Sequence, residues 1–159
     1  MINNGNHMTI RLFGEIDFPK LLAIEEMTQV SPWSEAAFKR CWEANYPGWL
    51  MEENDETIGF ILLSLVAGEC HILNLCIHPG QQKKGNGHKL LSFALRWAKH
   101  QGAGVVYLEV RRSNLAAISL YRKMNFKLIG ERKNYYPGIK VSEDALVFAR
   151  DIGIEEIDS

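Results

Sequence analysis

Two side chains in this sequence could move protons, and one glycine-bearing segment could hold an anion. Glu109 stands near the end of the apolar run Val105-Val106-Tyr107-Leu108-Glu109-Val110, and strand alternation places it on the face of Val105 and Tyr107. A carboxylate is unexpected there unless the strand end opens into a site, where it would accept a proton near neutral pH, directly or through water. An ion pair with Arg111 or Arg112 explains the same position equally well. Tyr121 follows Asn114 by two turns along one helix face. A phenol, with a pKa of about 10, is matched to protonating a departing thiolate, because thiols ionise near about 8.5. A tyrosine at that spacing also serves as an ordinary core aromatic.

The anion-holding segment is Gln82-Lys83-Lys84-Gly85-Asn86-Gly87-His88, which follows an apolar strand and opens an amphipathic helix. Gly85 and Gly87 let the backbone turn tightly with its N–H groups inward. A helix starting near Gly87 adds the positive end of its dipole, and Lys83, Lys84, His88 and Lys89 add charge. Two familiar phosphate motifs are excluded. A Walker loop requires Gly-Lys-Ser/Thr where this chain has Gly87-His88-Lys89, and a dinucleotide fingerprint requires a third glycine where Leu90 stands. The remaining pattern, Gln-x-x-Gly-x-Gly, also suits a plain strand-to-helix turn.

Cys70, His71, Cys76 and His78 could suggest a metal cluster. Alternation predicts Cys70, Cys76 and His78 on one face and His71 on the other, and the spacing is not that of a zinc site, so no metal is expected. Nothing beside Cys76 marks it as an activated thiolate, and it reads as a small strand hydrophobe. Three cysteines without metal-type spacing fit a reducing compartment and no disulfide. Trp33 and the pair Tyr135-Tyr136 are expected in loops, as hydrophobic staples or as walls of a ligand groove.

The elements that must position these residues follow from pattern. The chain has 159 residues, 47% hydrophobic and 23% charged, which suits one globular domain with a sizeable core. Residues 1–8 read as a flexible leader in which Met8 is an alternative start, 9–152 as the single domain and 153–159 as a flexible tail. The longest apolar run, 58–67, is too short to cross a bilayer and no signal-peptide order is present, so a cytoplasmic protein is expected. A net charge of −1 argues against a dedicated nucleic-acid binder.

A strand over 9–13 leads to a helix capped by Asp17, with Phe18, Leu21, Leu22, Ile24 and Met27 at helical spacing. Ser31-Pro32-Trp33-Ser34-Glu35 starts a second helix bearing Phe38, Cys41 and Trp42. Strands over 49–53, 57–66 and 70–77, turned by Asn54-Asp55 and Ala67-Gly68, should form an antiparallel meander. Leu90, Leu91, Ala94, Leu95 and Ala98 line a helix ending near Gly102. A strand over 105–110 follows, then a helix capped by Asn114 and strands near 127–132 and 145–150. This order predicts an α/β fold, a mixed and mostly antiparallel sheet with helices on both faces.

Several stretches together resemble the GNAT acyltransferase superfamily and, over 31–136, its RimI-type branch of ribosomal-protein-alanine N-acetyltransferases. They are Pro32-Trp33-Ser34-Glu35, the loop over 82–87, Leu108-Glu109-Val110-Arg111 with Ser113-Asn114, Ala116-Ala117-Ile118-Ser119-Leu120-Tyr121 and Asn134-Tyr135-Tyr136-Pro137. The resemblance implies the GNAT fold, acetyl-CoA as co-substrate without metal, and a protein N-terminus, that of a ribosomal protein, as acceptor. It brings no nucleic-acid or membrane partner, and a monomer or weak dimer is expected.

The resemblance also implies roles. Glu109 matches the general base and Tyr121 the general acid. Leu75, Cys76 and Ile77 occupy the strand whose backbone holds the acetyl and pantetheine part, with an N–H near Ile77 for the developing oxyanion. Lys83, Lys84, Gly85, Asn86, Gly87 and His88 occupy the pyrophosphate loop, Asn114 matches a coenzyme contact, and Tyr135 and Tyr136 border the peptide entrance. Two departures stand out. Asn86 and His88 replace the more usual apolar residue and Arg, and Asn125 precedes Phe126 where Gly is common, a change compatible with positive φ. A GNAT enzyme for a small amine, such as a polyamine or antibiotic, and a non-catalytic coenzyme-binding regulator are the alternatives.

Overall fold

The computed structural model describes residues 7–136, 143–153 and 157. Residues 1–6 of the expected leader, 154–156 and 158–159 of the expected tail, and Pro137 lie outside the described residues. Seven strands form one sheet: β1 (Met8–Leu12), β2 (Gly48–Glu53), β3 (Glu56–Val66), β4 (Glu69–Ile77), β5 (Val105–Arg111), β6 (Lys127–Tyr136) and β7 (Glu143–Asp151). Their spatial order is β1-β2-β3-β4-β5-β7-β6, and every pairing is antiparallel except the parallel one between β4 and β5. The meander closes as its turn chemistry requires: Asn54, Asp55, Ala67 and Gly68 all have positive φ, giving two-residue turns that match the strand twist.

Helices α1 (Phe18–Thr28) and α2 (Glu35–Glu43) cover one face of the sheet. Phe18, Leu21, Ile24 and Phe38 are buried there against Leu50, Phe60 and Leu62. Helices α3 (Asn86–His100) and α4 (Leu115–Lys123) cover the other. The α3 stripe of Leu90, Leu91, Ala94, Leu95 and Ala98 meets Ile61, Leu63, Val106 and Phe148, joined by Tyr121, Met124 and Phe126. Ser34 Oγ accepts the Ala37 N–H and Asn114 Oδ1 accepts the Ala117 N–H, each at 3.2 Å, so α2 and α4 start on the expected caps. Asn125 takes φ 65 after α4 and preserves the turn into β6.

Three expectations change. Asp17 does not cap α1 with its side chain. Its carboxylate instead accepts the Gly14 N–H at 2.9 Å and the Arg11 guanidinium at 2.8 and 3.0 Å, and the Arg11 contact holds it below the usual carboxylate range. Met27, counted on the apolar stripe, is exposed. Cys70 and Cys76 also face opposite sides of the sheet. The register jumps from Leu62↔Asn74 to Leu63↔Ile72, leaving Leu73 as the extra residue of a bulge that reverses parity along β4. Cys70 therefore sits in the α3 core and Cys76 in the α1 core. Among the described residues no helix is long and apolar enough to cross a membrane.

Candidate active site

The parallel pairing of β4 with β5 ends at Ile72↔Leu108, although β4 runs on to Ile77 and β5 to Arg111. Past that point the strands splay and their facing edges open a cleft of about 500 Å³. Leu73, Asn74 and Leu75 line one side and Glu109, Val110 and Arg111 the other. The His78 N–H donates to Ile58 O at 2.7 Å, so alternation in the β3–β4 pair turns Cys76 toward β3 and leaves the N–H and C=O of Leu75 and Ile77 on the open edge. Consistent with this, Ile77 O accepts Gln82 Nε2 at 3.0 Å rather than a β3 amide. Of the three β4 residues singled out from the sequence, Leu75 lines the cleft and Ile77 presents its backbone to the same edge, whereas Cys76 turns away.

Glu109, Asn114, Tyr121, Tyr135 and Tyr136 line this one cleft. Glu109 keeps 26% of its side chain exposed and pairs with Arg132 Nε at 3.2 Å, so its cationic partner is neither Arg111 nor Arg112. Arg111 instead meets Glu143 at 3.0 Å, and Arg112 meets Glu131 and Asp144. Burial, with smaller contributions from the nearby Glu109 carboxylate, raises the Tyr135 phenol above its usual value. Tyr121 is 6% exposed, and burial pushes its phenol well above the usual value, with smaller contributions from Cys76 and Tyr136. It therefore stays a proton donor throughout the neutral and mildly alkaline range.

Tyr135 and Tyr136 lie at the end of β6 rather than in a loop. Between Arg132↔Ala145 and Tyr136↔Glu143 the register shifts, with Asn134 at φ 53 and its N–H on Asp144 Oδ1 at 2.9 Å. This bulge re-aims the strand end so that both rings reach the cleft. Arg111 stacks 4.7 Å from the Tyr136 ring centre and Arg132 5.3 Å from that of Tyr135, fixing both rings. Burial and the Glu109 charge push the Tyr136 phenol up to about 12.

The glycine loop is a second region, outside the residues that line the cleft. Gly85 has φ 83 with no atom within 4 Å of where a Cβ would stand, so conformation alone calls for glycine. A Cβ on Gly87 would come within 3.2 Å of Leu120 Cδ2, so that glycine allows α3 to approach α4. Lys83 also takes positive φ, at 62. The first-turn amides of α3 have no intrahelical acceptor and, with Lys83, Lys84 and His88 around them, suit a pyrophosphate. Asn86 is buried and donates its side-chain amide to Gln81 O at 2.9 Å. Its side chain pins the loop, and its backbone is what it can offer a ligand.

Sequence reasoning passed over Glu25. This carboxylate is fully buried at the inner end of the cleft, where its oxygens accept the Trp33 N–H at 2.9 Å and Asn74 Nδ2 at 3.1 and 3.2 Å. The signal was its place after Phe18 and Leu21 on the inward face of α1. Trp33, expected as either staple or wall, lines the cleft and stacks on Phe38 at 5.3 Å, so it is both. Cys76 Sγ lies 3.2 Å from Glu25, and burial followed by that charge raises its thiol to about 12, which leaves it a poor nucleophile.

The model of the Acetyltransferase (GNAT) family matches residues 18–126. The [Ribosomal protein bS18]-alanine N-acetyltransferase of Escherichia coli strain K12 is 32% identical over 146 residues, 92% of this chain and 99% of that protein. Its Haemophilus influenzae namesake is 36% identical over 121 residues, 76% of this chain and 82% of that protein. The crystal structure of the Escherichia coli ribosomal-protein-S18-alanine N-acetyltransferase aligns with a TM-score of 0.87 at 30% identity, covering 96% of this chain and 99% of that one. A splayed β4–β5 pair, an amide-lined turn into α3 and a match across both place this chain in the GNAT acetyltransferase family.

Proposed function

We propose that this protein transfers acetyl from acetyl-CoA to the α-amino group of a protein N-terminus, its acceptor being the N-terminal alanine of ribosomal protein bS18. The observation that carries this reading is the likeness to the Escherichia coli bS18-alanine N-acetyltransferase across nearly the full length of both chains. The coenzyme supplies the acetyl group as an activated thioester.

The chain's own residues divide the remaining work. The amides of Gly87 and His88, with Lys83 and Lys84, hold the pyrophosphate, Asn114 contacts the coenzyme, and the open-edge N–H groups of Leu75 and Ile77 serve the acetyl carbonyl. A peptide α-amino group ionises near about 7.7 to 8.0, so a modest base suffices to free its lone pair. Glu109 takes that proton, directly or through water, while Arg132 holds its carboxylate in place. Tyr121, kept protonated by burial, returns a proton to the thiolate of coenzyme A. Tyr135 and Tyr136 flank the entering peptide.

The test is release of free coenzyme A thiol with an Ala-Arg-starting peptide, its N-terminally blocked twin and spermidine as acceptors. Turnover of the free peptide alone is expected. Turnover of spermidine alone would move the protein to the small-amine class of the family.

A further inference from the structure

We infer that Glu25 is a positioning residue whose buried carboxylate ties the wall formed by residues 29–33 to the splayed end of β4, and so shapes the acceptor side of the cleft. The inference rests on the peptide-acceptor reading above. Glu25 joins three separate segments: its own helix α1, the stretch before α2 through the Trp33 N–H, and β4 through the side chains of Asn74 and Cys76. Gln29, Ser31 and Trp33 line the cleft on one side of this knot, and Leu73, Asn74 and Leu75 on the other.

The donors explain why an anion stands there. Trp33 N–H and Asn74 Nδ2 both donate to Glu25, and the Asn74 Oδ1 faces Cys76 Sγ at 3.2 Å. Cys76 Sγ in turn accepts Thr28 Oγ1 at 3.4 Å and Gln29 Nε2 at 3.1 Å, which ties Gln29 into the same knot. Both Glu25 oxygens are occupied by the protein, which assigns the residue to holding the wall rather than touching the acceptor. A glutamine at this position has one acceptor oxygen for two donors, and its own N–H groups would confront either Asn74 Nδ2 or the Trp33 N–H. Turning the Asn74 amide to meet them would set Nδ2 against the Cys76 sulfur, which already accepts from Thr28 and Gln29, so in either arrangement a buried group of the knot is left unmatched and the anchor of the 29–33 wall is weakened.

Exchanging the two groups restores the match. In Glu25→Gln with Asn74→Asp, the amide oxygen accepts the Trp33 N–H, its N–H donates to the new carboxylate, and Cys76 keeps an acceptor. In steady-state kinetics of the full chain, Glu25→Gln is expected to raise the KM of an Ala-starting peptide about tenfold or more, leaving the KM of acetyl-CoA within about twofold. The double exchange should return the peptide KM to within about threefold of wild type. An unchanged peptide KM, an equal rise in both KM values, or no recovery in the exchange overturns the inference.

Amide hydrogen exchange decides the matter without any acceptor. The Trp33 N–H should be protected in the wild type and exchange about tenfold faster or more in Glu25→Gln. Exchange at the rate of an open loop in the wild type overturns the inference even if the variant does not fold. Loss of the acceptor reading would register separately, as no peptide turnover by the wild type with the exchange result intact.

Discussion

The turn into α3 is made largely of backbone: a left-handed Gly85, a left-handed Lys83 and the free first-turn amides of the helix, with cationic side chains only around the rim. The cleft between β4 and β5 is made of side chains, drawn from α1, the stretch before α2, β4, β5, α4 and the end of β6. A site of amides asks the sequence for glycine and otherwise tolerates change, so Asn86 and His88 can depart from the usual family pattern. A site of side chains depends on each one and on the contacts that orient it, such as Arg132 on Glu109 and Arg111 on the Tyr136 ring.

The largest effect should come from the side-chain region. Glu109→Gln is expected to lower kcat/KM for the Ala-starting peptide by about a hundredfold or more while acetyl-CoA binding stays unchanged. A loss below about tenfold would remove Glu109 from proton transfer. Tyr121→Phe keeps the ring packed against Phe126 and Phe148 and deletes only the hydroxyl, so kcat should fall by roughly a hundredfold with thermal stability retained. Full activity in this variant would return Tyr121 to the plain role of a core aromatic.

The backbone region predicts smaller and differently distributed losses. Gly85→Ala strains a φ of 83 and should raise the KM of acetyl-CoA by about fivefold with no change in peptide KM. Lys83→Ala and Lys84→Ala should each cost about two- to threefold, fading as salt is added. A loss in the lysine variants larger than that of Gly85→Ala would show that side-chain charge, rather than backbone shape, makes this end of the site.

The smallest effect is on stability at alkaline pH. Burial raises the thiols of Cys70 and Cys76 from 9.0 to about 12 and the phenol of Tyr136 from 10.0 to about 12, and raises Tyr121 further. The folded state therefore holds protons that the unfolded chain has released. Their stabilising contribution is complete below about pH 9 and is lost as pH climbs toward 12. Melting temperature should decline by a few degrees between about pH 9 and pH 11, and Tyr121→Phe should flatten the upper part of that decline. A melting temperature constant across that range would contradict the burial of these groups.

The same division explains what was legible in the sequence. Local signals carried the meander, whose turns at Asn54-Asp55 and Ala67-Gly68 need positive φ, and the α3 stripe, whose five apolar positions are all buried. They also carried the glycine turn, because backbone sites announce themselves through glycine and helix starts. The cleft was legible only in part. Glu109 stood out as a charge on an apolar strand, yet its partner Arg132 comes from a strand paired two places away. Bulges defeated simple alternation twice, at Leu73, where they part Cys70 from Cys76, and before Tyr135-Tyr136, where a strand continues past the expected end at 132. Asp17 was obscured by Arg11 and Gly14 just upstream, which claim its carboxylate in place of the helix amides, and Glu25 by Asn74, far along the chain. A lone carboxylate on a helical stripe gives no hint of which donors it will meet.

The central claim is that the backbone-built turn and the side-chain-built cleft are two halves of one site, meeting where β4 and β5 separate. A conjugate joining coenzyme A through a short acetyl link to the α-amine of an Ala-starting peptide tests it most directly. The conjugate should inhibit competitively against both acetyl-CoA and peptide and bind more tightly than either alone, with Gly85→Ala and Glu109→Gln weakening it through opposite halves. Competition against acetyl-CoA alone would mean that the peptide does not enter between Trp33 and Tyr136, and the cleft would lose its assignment as the acceptor site.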